Sequence, residues 1–438
     1  MKTIDQTFAI QTLGCKVNQY ESEAIACNLV EKGLTAQSQN AAIAIINTCT
    51  VTQKAGMQSR QLIRQAIRNH PGALIIATGC HAQVNPGDIQ SIEGVHWVVG
   101  HAFKHTLPDR ICQLFNARMV CSDQPEIFIS NILEHTTFNH MAMSHLQKRS
   151  RPVLKIQDGC HSFCSYCIVP YARGPSRSLP VVDVVNAVTT LKSSGYHETI
   201  LSGIHLGMYG RDLDPPIQLI DLLQQLVSVP DCPRIRLSSI EPIEITDQLV
   251  RFIQQTPRMC HHLHIPLQSG DNAVLKHMNR HYTPQFFQGL VENIHNRIPD
   301  IAIGIDVLVG FPGESNLAFE NTFSLLEHLP AAYFHVFPFS RRAGTHIADN
   351  LDPVPVETIK ARAKAIRELG KRKRLAFYQA SIGQEQWAVV ESFDGKYSKG
   401  LTGNYIPVRI LGKFEKHVMI PVYLKDFVGE SVLSELSR

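Results

Sequence analysis

Six of the eleven cysteines fall into two separated triplets: Cys15, Cys49 and Cys80, then Cys160, Cys164 and Cys167. The second is compact, in Gly159-Cys160-His161-Ser162-Phe163-Cys164-Ser165-Tyr166-Cys167. The first is dispersed, with one cysteine ending each of three apolar runs. Three thiolates can hold three irons of a cubic iron–sulfur cluster and leave its fourth iron open. The spacing Cys-x3-Cys-x2-Cys differs from the paired Cys-x2-Cys of zinc ribbons. It also lacks the nearby fourth cysteine of ferredoxin-type runs. Two open corners in one chain point to chemistry rather than to structural stapling.

At 438 residues, with 44% hydrophobic and 18% charged residues, the chain has room for two or three domains with real cores. A net charge of +4 is too slight to imply a polyanion partner, so that argument must rest on local clustering. The amino terminus, Met1-Lys2-Thr3-Ile4-Asp5-Gln6, lacks a signal-peptide core, and the longest apolar stretches are far short of a membrane span. The expectation is a cytoplasmic protein without a membrane partner, in which thiols stay reduced and clustered cysteines bind metal.

Residues 1–120 alternate strands and helices. Short buried strands are predicted at 8–13, 43–47 and 74–78, with helices at 21–32 and 52–69. Each strand runs into one of the dispersed cysteines. The carboxyl ends of parallel strands share one edge, where open α/β sheets place their ligands, so cysteines 34 and 31 residues apart can converge there. Residues 121–150 read as a linker. Its His135, His140 and His145 are spaced by five, which aligns on no helix face, and they read as solvated rather than as metal ligands.

Six strand-then-helix repeats follow in residues 151–375. Strands are expected near 153–157, 199–202, 234–238, 262–266, 301–309 and 332–337, separated by helices at 181–194, 217–229, 246–255, 284–297 and 316–328. That pattern predicts a parallel barrel or partial barrel with its chemistry at the carboxyl ends of the strands. The compact triplet follows the first strand. The basic helix at 359–378, with eight Lys or Arg and only Glu368 as an acid, is the first candidate for phosphate contact through Lys364, Arg367 and Lys371. Residues 376–438 alternate with period two between glycine turns, as a small β-barrel does.

The compact triplet resembles that of the radical S-adenosylmethionine (SAM) superfamily. The resemblance implies a 4Fe-4S cluster on Cys160, Cys164 and Cys167, whose open iron chelates S-adenosyl-L-methionine and whose electron releases a 5′-deoxyadenosyl radical. It further implies that Tyr166 lies near the adenine, that Gly203 in Ser202-Gly203-Ile204 offers backbone to the methionine amino group, and that Gln268 reaches the ribose. In Cys260-His261-His262-Leu263-His264, strand geometry puts His262 and His264 on one face and His261 on the other. Gly310-Phe311-Pro312-Gly313-Glu314 lacks the Walker lysine and reads as a strand-end turn.

Thr12-Leu13-Gly14-Cys15-Lys16-Val17-Asn18-Gln19-Tyr20-Glu21-Ser22, Asn47-Thr48-Cys49-Thr50-Val51-Thr52 and Thr78-Gly79-Cys80-His81-Ala82-Gln83 resemble the methylthiotransferase family. The likeness covers nearly the whole chain, including Lys155-Ile156-Gln157-Asp158-Gly159-Cys160, His264-Ile265-Pro266-Leu267-Gln268-Ser269-Gly270 and Asp306-Val307-Leu308-Val309-Gly310-Phe311-Pro312-Gly313-Glu314. It implies a second 4Fe-4S cluster on Cys15, Cys49 and Cys80 that carries the sulfur to be inserted. The expected architecture is α/β: an open parallel amino-terminal sheet, a partial (β/α)6 radical-SAM barrel, and a carboxyl-terminal TRAM-like RNA-binding barrel, through Gly400-Leu401-Thr402-Gly403-Asn404-Tyr405. Residues 380–438 carry seven basic and seven acidic residues, and Pro407 stands where related domains often carry a base.

The remaining cysteines, Cys27, Cys112, Cys121, Cys232 and Cys260, read as packing residues. Lys16-Val17-Asn18 and the run around Cys49 resemble the threonylcarbamoyladenosine branch of the family. That branch implies methylthiolation at C2 of N6-threonylcarbamoyladenosine in the tRNA anticodon stem-loop, with an electron donor and a sulfur source as partners. The alternatives are the isopentenyladenosine branch, a branch acting on an aspartate of a ribosomal protein, a two-cluster RNA-binding electron-transfer protein, and a zinc-scaffold RNA binder.

Overall fold

The computed structural model describes residues 6–117, 124–141, 143, 149–347 and 351–437. Cys121, His145 and Lys148 lie outside them. The chain divides into two compact units: residues 1–146, 157–179 and 340–345 form the first, and residues 147–156, 180–339 and 346–438 the second. No described helix is long and apolar enough to cross a membrane.

The first unit opens with β1 (Thr7–Thr12), α1 (Lys16–Glu31), β2 (Thr35–Ala36), β3 (Ile43–Thr48), α2 (Gln53–Asn69) and β4 (Leu74–Gly79). The short α3 (Cys80–Val84) and α4 (Pro86–Gln90), then β5 (Trp97–Val99), α5 (Leu107–Ala117) and β6 (Glu126–Phe128), complete a parallel sheet in the order β2-β1-β3-β4-β5-β6. Strands β3 and β4 are buried at every position, as central strands covered on both faces must be. One face packs Phe8, Ile25, Leu29, Ile45 and Ile76, and the other packs Ile46, Ile63, Ile75 and Val98. The predicted strands and helices are present; α1 begins five residues earlier than expected, directly after Cys15.

Next come β7 (Val153–Lys155), which belongs to the second unit, then β8 (Gln157–Asp158), α6 (Val169–Arg173) and β9 (Arg177–Ser178), which belong to the first. β8 and β9 pair antiparallel around the compact triplet. The second unit continues with α7 (Val181–Ser193), β10 (Glu198–Ser202), α8 (Leu219–Ser228), β11 (Arg234–Leu237), α9 (Asp247–Gln255) and β12 (His262–Gln268). After α10 (Asn272–His277) and α11 (Pro284–Arg297) come β13 (Ala302–Val309), α12 (Asn316–His328) and β14 (Tyr333–Pro338). The six parallel strands form two three-stranded sheets, β11-β10-β7 and β12-β13-β14, joined by single parallel bridges such as Ser239 to His264. This is the partial barrel the repeats predict.

The chain then enters α13 (Val356–Ser381) and a closed barrel of β15 (Glu385–Phe393), β16 (Tyr397–Thr402), β17 (Pro407–Leu411), β18 (Met419–Val428) and β19 (Ser431–Leu436). Its core is Ala388, Ile406, Val408, Ile410, Val422, Leu424 and Val432. Closure removes the exposed strand edges that a five-stranded sheet would otherwise leave.

Candidate active site

The three dispersed cysteines occupy the carboxyl ends of β1, β3 and β4. Polar side chains tie those ends together. Asn18 Nδ2 donates to the carbonyls of Leu13 (2.8 Å) and Thr48 (3.0 Å), and Thr48 Oγ1 donates to the carbonyl of Thr78 (2.6 Å). Ser59 Oγ accepts from the Cys49 amide at 3.0 Å and donates to its carbonyl at 2.8 Å, tying the loop to α2. Glycines make the close approach possible. Gly79 holds φ 97°, and a Cβ there would overlap the Thr48 backbone. A Cβ on Gly14, at φ 106°, would sit 3.1 Å from Cys49 Sγ.

Cys49 and Cys80 are buried and Cys15 is exposed. Burial pushes the Cys80 thiol up to about 12, against the lowering pull of Arg173 and Lys104 and with Cys49 and Cys15 adding to the rise. Burial raises Cys49 as well. Thiols this reluctant to ionise alone, gathered with two buried cations beside them, are suited to a metal that displaces their protons. The donor set fits an anionic cluster bound by three cysteines.

The compact triplet sits between β8 and α6. The Cys160 amide donates to the Gly174 carbonyl at 3.0 Å, and the Cys167 amide to the Cys164 carbonyl at 2.9 Å. Gln157 Nε2 reaches the Gly159 carbonyl (2.8 Å) and Ser176 Oγ (2.9 Å), which pins the entrance to the loop. Phe163 takes a left-handed φ of 42° and stacks edge-on against Tyr171, with centroids 5.7 Å apart. Cys164 is buried and Cys160 and Cys167 half-buried, so this donor set also fits a cluster with one accessible corner.

Both triplets lie in the first unit, and one guanidinium reaches the frameworks of both. Arg173, the last residue of α6, donates through Nη1 to Glu21 Oε1 (2.9 Å) and Asp158 Oδ1 (2.9 Å), and through Nη2 to Asn18 Oδ1 (2.6 Å). Lys104 Nζ lies 2.6 Å from Glu21 Oε2. Arg173, Glu21 and Lys104 are each at most 2% exposed. Asn18, Glu21 and Asp158 fall inside the family-like runs, but sequence reasoning missed Arg173 and Lys104 and the network that joins them. The available signal is the polar group Asn18, Glu21 and Ser22 on α1 among Val17, Tyr20 and Ile25, a face that otherwise looks like core.

In the second unit the expected SAM-contacting residues stand at strand ends. Gly203 follows β10 directly. Gln268 ends β12 at a bulge, with a left-handed φ of 67°, and Tyr282 Oη lies 2.9 Å from both the Pro266 and Leu267 carbonyls beneath it. Non-glycine residues hold such a backbone only where the surroundings impose it, often at ligand sites. After β13, the Gly310 amide donates to Glu314 Oε2 (2.7 Å), and Arg362 Nη1 pairs with the same oxygen at 2.6 Å. Tyr166 belongs to the first unit and is half-buried.

His262 and His264 share a face, as strand alternation requires, and both reach Tyr333 Oη, at 2.8 and 3.3 Å. His261 points away and pairs with Asp300. Two further residues join this set: Asp306, which opens the family-like run 306–314, and His335, which nothing in the sequence marks. Asp306 Oδ1 lies 2.7 Å from His264 Nε2 and 3.3 Å from His335 Nδ1. Burial opposes ionisation of Asp306, but the two imidazoles hold its carboxyl down to about 2. On α13, ion pairs engage Lys360, Arg362, Lys371 and Arg372, while Lys364 and Arg367 remain exposed.

The profile of the uncharacterized protein family UPF0004 matches residues 7–100, and that of the Radical SAM superfamily matches residues 154–326. The chain is 40% identical to the threonylcarbamoyladenosine tRNA methylthiotransferase MtaB of Bacillus subtilis over 351 residues, 80% of this chain and 76% of that protein. It is 30% identical to the tRNA-2-methylthio-N(6)-dimethylallyladenosine synthase of Syntrophus aciditrophicus, over 98% of this chain and 95% of that one. Among solved structures, the radical SAM methyltransferase TsrM of Kitasatospora setae aligns with a TM-score of 0.58 at 13% identity, covering 83% of this chain and 81% of that one. That last likeness is one of fold.

Proposed function

The chain belongs to the threonylcarbamoyladenosine tRNA methylthiotransferase family of radical SAM enzymes, and on that premise we propose that it methylthiolates C2 of N6-threonylcarbamoyladenosine beside the tRNA anticodon. Membership implies S-adenosyl-L-methionine and a 4Fe-4S cluster as cofactors. We assign that cluster to Cys160, Cys164 and Cys167 and a second, sulfur-presenting cluster to Cys15, Cys49 and Cys80. An electron donor and a sulfur source complete the partners. The domain division that goes with this reading is 1–120, 121–150, 151–375 and 376–438.

The observation that carries the reading is the presence of both triplets in one compact unit, with Arg173 bonded to the framework of each. The chemistry explains the need for two sites. C2 of adenine is an unactivated aromatic C–H position that no side-chain base ionises, so the hard step belongs to a cofactor. When bound, the first cluster with SAM supplies the 5′-deoxyadenosyl radical. The protein's own part is to hold six thiolates in place and to bind SAM; the family likeness assigns Tyr166 to the adenine, Gly203 to the methionine amino group and Gln268 to the ribose.

Mass spectrometry of tRNA nucleosides from a deletion strain tests the reading. Loss of 2-methylthio-N6-threonylcarbamoyladenosine, restored by the gene, is expected. Its persistence together with loss of the isopentenyl counterpart would overturn the assignment.

A further inference from the structure

Helix α2 starts four residues after Cys49 and carries Lys54, Arg60, Arg64 and Arg68 with no Asp or Glu anywhere in Gln53–Asn69. Steps of 100° put Lys54, Arg64 and Arg68 within roughly 80° of one another, on a stripe about 21 Å long. Lys54, Arg64 and Arg68 are exposed, and Gln58, Gln61 and Gln65 beside them are exposed as well. The opposite face is core, through Ser59, Ile63 and Ala66. Among the described residues, Arg60 alone of the four has an ion-pair partner, Asp88 at 3.5 Å.

The stripe ends at the dispersed triplet. Arg342, in the segment of residues 340–345 that belongs to the same unit, donates to Thr50 Oγ1, and Ser340 Oγ accepts from the Gln53 amide at 3.0 Å. Arg342 therefore adds a guanidinium at the amino end of α2, the positive end of the helix dipole, where a cation is unfavourable without an anion to share. Its Nε is buried without a hydrogen-bond partner, and no carboxylate pairs with it among the described residues.

We propose that the exposed face of α2, from Arg68 to Lys54 and on to Arg342, is a track for the phosphate backbone of the RNA substrate, leading to Cys49. This rests on the methylthiotransferase reading and adds the surface that delivers the strand. The chemistry favours RNA over a protein partner. Protein interfaces centre on depleted charge and buried aromatic or apolar groups. Here a single-sign row of bases is interleaved with amide side chains, the residue types that bond phosphate and sugar oxygens. The bases of α13 are more numerous, but four of its eight are engaged in ion pairs, whereas among the described residues Arg60 is the one base of four on α2 that is.

The test is the triple variant Lys54→Glu, Arg64→Glu, Arg68→Glu in the full-length, cluster-loaded protein. Its affinity for an anticodon stem-loop bearing threonylcarbamoyladenosine is measured across a salt series. Binding is expected to weaken at least about tenfold at 0.1 M salt, and the slope of log K against log salt to fall by about 2 to 3, since each lost contact removes roughly 0.7–0.9. Cluster absorption and RNA-independent 5′-deoxyadenosine formation should match the parent. The corresponding Gln triple variant should shift both quantities in the same direction by less. Unchanged affinity and slope would overturn the track. So would retained RNA affinity with a lost response to an acidic protein reductant, which would assign the face to electron delivery. If the parent binds RNA but forms no methylthio product, the functional reading fails separately.

Discussion

Arg173 Nη1 and Glu21 Oε1 lie 2.9 Å apart although 152 residues separate them in the chain. Glu21 stands on the helix that begins after Cys15, and Arg173 ends the helix that begins after Cys167. Asp158 accepts from the same guanidinium two residues before Cys160. A buried fork of this kind fixes orientation as well as charge, because its donors point in set directions. Two loops with no sequence relation are thereby held in one register.

Removing Arg173 leaves Glu21 and Asp158 buried without their shared cation. Arg173→Met is expected to cost about 3–5 kcal/mol of folding stability, read by urea denaturation of the first unit. Arg173→Lys restores charge but not the fork, and should recover only part of the loss. A Met variant as stable as the parent would show that the network is not a structural tie.

A second prediction concerns acid. Burial works against ionisation of Glu198, but Arg236, Arg234 and Arg151 hold its carboxyl down to about 2. Arg236 also donates to the Thr402 and Gly403 carbonyls, so this cluster joins the central strands to the terminal barrel within the second unit. A carboxyl lowered in the fold stabilises above its unfolded value, and the gain is lost as pH falls through the folded one. Some 3 kcal/mol should therefore disappear between roughly pH 4.5 and 2. Glu198→Gln should be less stable than the parent at neutral pH, with the gap closing as pH approaches 2. A gap independent of pH would refute the linkage.

The sequence made the strand-end cysteines legible because α/β order is local: each apolar run, its cysteine and the next helix are contiguous, and parallel strands share an edge. The six strands of the partial barrel were readable for the same reason. What escaped was non-local and polar. Lys104, Glu21 and Arg173 are too far apart for any periodicity to join them, and Asp306 and His335 meet only because β13 and β14 pair in a register that sets them opposite each other. Single charges inside apolar runs carry no partner label in one sequence.

Tyr282 offers a test of the strand-end seat for SAM. Its hydroxyl lies against the carbonyls that turn the chain into the left-handed Gln268. Tyr282→Phe removes about 1 kcal/mol of hydrogen bonding and loosens the bulge. The KM for SAM in 5′-deoxyadenosine formation should rise about fivefold while kcat stays near the parent value. A fall in kcat at constant KM would place the effect outside the binding seat.

The two triplets can be separated by what each loss leaves behind. A chain with both clusters should bind about eight irons, and one with a single cluster about four. Cys164→Ala should drop iron by about half and abolish both 5′-deoxyadenosine formation and methylthiolation. Cys49→Ala should cause the same iron loss and abolish methylthiolation, yet still cleave SAM with a chemical reductant. The asymmetry follows from the roles proposed: the radical requires only the compact triplet, whereas the product requires both. Since Arg173 ties both frameworks, each variant needs an absorption spectrum showing that the other cluster remains. If Cys49→Ala still makes methylthiolated RNA, the dispersed triplet is not the sulfur-presenting site, however well its thiols converge.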